Sequence, residues 1–160
     1  MAMDAKTVLS RYWDGNLPVN VEQIALLMGI NVQLSDDLIT ASGEIELLDN
    51  DSVVCRINQR DGLNRRRFTL AHEIGHFALN HLNRGDKKFR DTSTQFVYGP
   101  SDYRETEANR FASELLMPST MVDWLIKKHM ITNTHQLAEI FQVSNAAMVY
   151  RLKNLGWING

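Results

Sequence analysis

His72-Glu73-Ile74-Gly75-His76 sits inside a stretch, residues 64–82, whose apolar spacing is helical. No other feature of the chain constrains the fold as tightly. Residues four apart on an α-helix lie about 40° apart around it and about 6 Å apart along it, so the two imidazoles can share one metal ion. Glu73, rotated about 100° from His72, can address water at that ion. Zinc bound there would bring the pKa of such a water to about 7. Glu73 would take its proton and pass it to a leaving amine. Gly75 in mid-helix costs up to about 1 kcal/mol relative to Ala. Its presence implies close approach of another backbone or of the metal site.

A catalytic zinc has three protein ligands and one open position. His81, nine residues after His72, falls about 180° round the helix and is badly placed. His129 and His135 read as surface or supporting histidines. Cys55, the one cysteine, lies in a β-branched run and reads as a small buried residue. A carboxylate on a second helix is the stronger candidate. The helix expected over 102–117 offers Glu105, Glu107 and Glu114. With Ala108, Phe111 and Leu115 as its buried face, Glu107 stands four residues before Phe111 on the same side. Glu105 and Glu114 then point to solvent or cap the helix. Tyr98 and Tyr103, between the two metal-binding elements, are candidates to stabilise an oxyanion.

The rest of the chain fits one compact unit with a small appendage. Of its 160 residues, 44% are hydrophobic and 22% charged, as in soluble globular domains. The net charge of −2 does not indicate a wholly basic nucleic-acid binder. No apolar run approaches the roughly 20 residues of a membrane span, and no signal peptide is visible, so a cytoplasmic protein is expected. Asn20 with Gln23 reads as a helix-capping pair. Ile30, Val32 and Leu34 alternate like a half-buried strand. Residues 44–48 and 52–57 read as a hairpin around Asp49-Asn50-Asp51. Val53 to Asn58 is expected to form an edge strand along which an extended substrate pairs. Asn64 is expected to cap the motif helix, which runs to about Leu82, and residues 83–100 hold no strong element. Strands gathered early and helices afterwards imply an α+β fold. Residues 1–130 form the main domain. Residues 131–160, with helices over 134–141 and 144–155, form a helix-turn-helix-like appendage packed on it.

Arg67-Phe68-Thr69-Leu70-Ala71-His72-Glu73-Ile74-Gly75-His76, followed by Glu107-Ala108-Asn109-Arg110-Phe111-Ala112 and Leu115-Leu116-Met117-Pro118, resembles the ImmA/IrrE family of metallopeptidases. The resemblance extends over about residues 17–125. It implies a reduced zincin-like fold of gluzincin type, a Zn2+ cofactor and Glu107 as the third ligand. Many relatives carry a histidine one position before His81, where this chain has Asn80. The resemblance further implies an endopeptidase that cleaves or inactivates a specific partner. That partner is a separately encoded helix-turn-helix repressor or antitoxin in a mobile-element, prophage, stress-response or toxin–antitoxin switch. Two other readings stand beside it. One is a non-hydrolytic protein that binds such a partner; the other is a DNA-binding regulator acting through residues 134–156. Residues 60–90 carry eight Lys/Arg against three acids, a solvated face or a patch that guides an acidic partner. Residues 119–160 carry a net charge of only +2, thin for binding phosphates.

Overall fold

A computed structural model of the chain describes residues 2–38, 41–84, 87–91 and 103–159. Two short helices open it, α1 (Ala5–Tyr12) and α2 (Val21–Leu27). The Asp4 side chain accepts from the Thr7 amide and the Asn20 side chain from the Gln23 amide, meeting donors that a helix start leaves open. Three strands follow: β1 (Ile30–Ser35), β2 (Ala41–Leu47) and β3 (Val53–Asn58). Next come α3 (Leu63–Ala78), β4 (Lys87–Asp91) and four helices. These are α4 (Tyr103–Leu116), α5 (Ser119–Lys127), α6 (Thr134–Phe141) and α7 (Asn145–Asn154). The fold is α+β, as expected from the sequence. No helix among the described residues is long and apolar enough to cross a membrane.

The sheet order is β1-β3-β2-β4, with β1 parallel to β3 and the other neighbours antiparallel. The β2–β3 hairpin is where the sequence places it. The edge-strand expectation is corrected: Val53–Asn58 is paired on both sides, so its backbone groups are already bonded within the sheet. The edges are β1 and β4. β4 lies in a region read as structureless because Lys87-Lys88-Phe89-Arg90-Asp91 shows no apolar alternation. Edge strands tolerate, and benefit from, such charge. α3 also departs from expectation. Gly62 is its N-cap, with no side-chain cap, in place of Asn64. It ends at Ala78, before Leu82.

α3 packs on β2, β3 and α4. Gly43 of β2 lies directly beneath it. A Cβ there would sit 2.6 Å from Thr69 Cγ2 and 3.0 Å from the Arg56 carbonyl oxygen. We expect Gly43→Ala to cost about 1–3 kcal/mol in a denaturant titration, because backbone cannot move aside as a side chain can. Gly75 meets α4: its missing Cβ would lie 3.0 Å from Phe111 Cδ1. The expectation for Gly75 is corrected: what approaches it closely is an aromatic ring on the neighbouring helix, not another backbone or the metal site.

One apolar cluster joins the sheet to every helix region. Ile45, Ile57, Ile74, Leu115, Leu137, Phe141 and Met148 all belong to it. The end of α6 is tied in further by Arg67 of α3. Its guanidinium donates to the carbonyls of Val19, Phe141 and Gln142 at 2.9–3.2 Å. Removing it leaves those carbonyls without their charged donor. Arg67→Ala should cost about 2–4 kcal/mol, readable as a fall in Tm of several degrees. Arg65 is held by Ser42 and Asp61, and Arg84 pairs with Asp51. Three of the eight cations in the 60–90 run are thus engaged within the fold.

Candidate metal centre

His72 and His76 project from the buried middle of α3 with exposures of 2% and 0%. Their Nε2 atoms face each other at 3.1 Å. The carboxylate that meets both comes from Glu105, not Glu107. Glu105 Oε2 lies 3.0 Å from His72 Nε2, and its Oε1 lies 3.1 Å from His76 Nε2. His72, His76 and Glu105 are the described residues that could jointly hold a metal ion. Glu107 instead meets His81, Oε2 to Nε2 at 2.9 Å.

This corrects the helix-face assignment, and the reason is geometric. The fully buried stripe of α4 includes Ala108, Ala112 and Leu116 as well as Phe111. Glu105 precedes these by three, seven and eleven residues, which returns it to the same side of a 3.6-residue helix. Glu107 falls about 160° away from it. Centring the stripe on the large Phe111 hid the side built from alanines. Ala108 and Ala112 are fully buried, and Phe111 of the same helix meets Gly75 of α3, so the two helices lie close where the three ligands converge.

The surroundings of His72 select its tautomer. Its Nδ1 lies 2.8 Å from Asn109 Oδ1, an acceptor on α4 one turn after Glu105. Nδ1 therefore carries the proton, and Nε2 presents a lone pair to the cluster. A tetrahedral zinc with ligand bonds of about 2.0–2.1 Å separates its ligand atoms by about 3.3 Å. The observed 3.0–3.1 Å edges come close to that triangle. Two imidazole nitrogens and a carboxylate converging in a buried place call for a cation among them, and the donor set suits zinc. The Glu105 carboxyl reflects the same demand. Burial works against its ionisation, but its close contacts with His72 and His76 outweigh this and hold it well below the usual carboxylate range.

Glu73 is fully buried beside the cluster, with Oε1 4.0 Å from His72 Nε2. Cys55 is buried too. Desolvation, aided by the charges of Glu73 and Glu44, pushes its thiol well above its ordinary value, so it is no nucleophile. His81 was read as badly placed, yet it belongs to this neighbourhood. α3 stops at Ala78, Asn80 takes a left-handed conformation at φ 61°, and the His81 amide bonds back to the His76 carbonyl at 2.8 Å. That closure carries the His81 ring onto His76, Nδ1 to Nδ1 at 2.9 Å. Burial lowers the His81 pKa, opposed by its bond to Glu107. The Leu79-Asn80 pair was the available signal, since Asn is a common left-handed helix stop.

Tyr103 opens α4 with 71% exposure and is not among the residues gathered here. Tyr98 lies outside the described residues. His129 stacks edge-on against Trp124, away from the cluster on α5.

An HExxH helix packed on a small mixed sheet, with a glutamate brought in by the following helix, is the architecture of a zincin-like metallopeptidase domain. The family model for the IrrE N-terminal-like domain, Peptidase_M78, matches residues 28–153, so the chain belongs to the ImmA/IrrE family. It is 29% identical over 140 residues to metallopeptidase ImmA of Bacillus subtilis (strain 168). That match covers 86% of this chain and 77% of that protein. The fold also resembles a solved Mycobacterium tuberculosis transcriptional regulator, with a TM-score of 0.59 at 21% identity. There the match covers 83% of this chain but only 40% of the regulator.

Proposed function

We propose that the protein is a zinc-dependent endopeptidase that cleaves one specific partner, a separately encoded helix-turn-helix repressor or antitoxin. The observation that carries this reading is the triangle of His72 Nε2, His76 Nε2 and the Glu105 carboxylate beside a buried Glu73. Zinc held there supplies the Lewis acidity that makes water nucleophilic near neutral pH. The chain's residues do the rest. Asn109 orients His72, and Glu73 accepts a proton from the attacking water and returns it to the leaving nitrogen. The family membership and the likeness to a metallopeptidase support hydrolysis.

The reading that residues 134–156 bind DNA loses support. Arg151, one of the two cations on α7, is buried and donates to the Met117 carbonyl at 3.0 Å. Lys153 alone gives the exposed face of that helix little hold on phosphates.

The test is a pair of incubations with the zinc-loaded protein, one with casein and one with the repressor-like product of the adjacent gene. Slow cleavage of the repressor at one or a few sites, with casein intact, is the expected result. Rapid digestion of casein, with the repressor neither bound nor cut, would overturn the proposal.

A further inference from the structure

Glu107 and His81 form a chain of contacts that ends on the metal centre without being part of it. Glu107 Oε2 lies 2.9 Å from His81 Nε2, and His81 Nδ1 lies 2.9 Å from His76 Nδ1. His76 Nε2 then faces His72 Nε2 and Glu105. A carboxylate accepts only, so His81 must carry its proton on Nε2. A neutral His81 then has only a lone pair on Nδ1, and the proton in the next hydrogen bond must come from His76 Nδ1. With its proton on Nδ1, His76 has a lone pair on Nε2, which is the form a metal ligand requires.

We propose that His81 and Glu107 are a positioning pair for His76: they fix its tautomer and ring orientation through two hydrogen bonds in series and never ligate the metal themselves. The inference rests on the zinc reading of His72, His76 and Glu105. His72 and His76 are then oriented by different means, the first by a direct amide from Asn109, the second through an intervening imidazole. The His76 arm depends on the helix stop at Asn80. Only the left-handed residue there turns His81 back against the helix it has just left. His81 is nearly buried, while the Glu107 side chain is about half exposed. The outer end of the chain can therefore be altered without opening the core.

Two measurements test the pair. The first is the imidazole 15N spectrum of the zinc-loaded full chain. It should show the proton of His81 on Nε2 and that of His76 on Nδ1. The reverse placement on either ring would overturn the proposal. This arm needs no substitution. The second is zinc affinity, measured by competition with a chromophoric chelator. Glu107→Gln and His81→Ala should each weaken zinc binding about 10–100-fold while still reaching one zinc per chain at saturation. The double variant should be no weaker than His81→Ala, since links in series fail together. Unchanged affinity in both single variants would overturn the proposal. So would a loss in Glu107→Gln as deep as that in Glu105→Gln, which would make Glu107 a ligand. A wild-type chain that takes up no zinc refutes the zinc reading itself, whereas a chain that binds zinc with the proton of His81 on Nδ1 refutes the positioning pair alone.

Discussion

Glu105→Ala is expected to abolish stable zinc binding, whereas Glu107→Ala leaves a protein that still fills with metal. The apparent free energy of a protein zinc site is about 10–16 kcal/mol, spread over about four ligands. Losing one ligand then removes roughly 3–4 kcal/mol, or two to three orders of magnitude in affinity. His72→Ala and His76→Ala should fall at least as far, because an imidazole lone pair lost from a buried site has no replacement. Metal content after dialysis, by atomic absorption, separates the cases: about one zinc per chain for wild type and near zero for the three ligand variants. Full zinc in Glu105→Ala together with loss in Glu107→Ala would return the third-ligand role to Glu107 and refute the packing argument built on Ala108 and Ala112. The ligand variants should also lose thermal stability with zinc present, since metal that binds only the folded chain stabilises it by mass action.

Glu73→Gln should separate binding from chemistry. Glutamine keeps the shape of the side chain and can still hydrogen bond, but it cannot accept a proton from water. Zinc content and partner binding should stay at wild-type levels while cleavage falls by about 10²–10⁴-fold, the usual contribution of a general base. The substitution also replaces a buried carboxylate with a neutral amide, so the variant should fold at least as well as wild type. A Glu73→Gln protein that still disables its partner at full strength would favour the non-hydrolytic reading, in which capture alone suffices. A variant that loses zinc as well would show Glu73 supporting the ligands and not the reaction.

The difference between what could be read along the chain and what could not follows the range of the interactions involved. HExxH spacing is local geometry, so the pairing of His72 with His76 on one helix face was legible, as were the Asn20 cap and the β2–β3 hairpin. β4 was not, because an edge strand is held by main-chain bonds to a partner far away in sequence, and its side chains carry no periodic signal. The mid-sheet position of Val53–Asn58 was hidden for a related reason. A run of β-branched residues suits an edge or a centre equally, and only the parallel pairing of β1 closed its second side.

The sequence by itself determined the helix that carries two imidazoles and a carboxylate, and, together with the Glu107–Ala112 and Leu115–Pro118 blocks, the family that the chain resembles. The tertiary structure decided which glutamate completes the centre. Glu105 and Glu107 are two residues apart on the same helix, both charged and both near its start. Composition and spacing alone leave them in competition. The choice falls to the side of α4 on which Ala108 and Ala112 are buried, and Gly75 of α3 admits Phe111 beside it. The same choice assigns Glu107 to His81, whose place depends on one left-handed residue after the helix ends. Close packing between helices is a property of two surfaces at once, and neither segment specifies it alone.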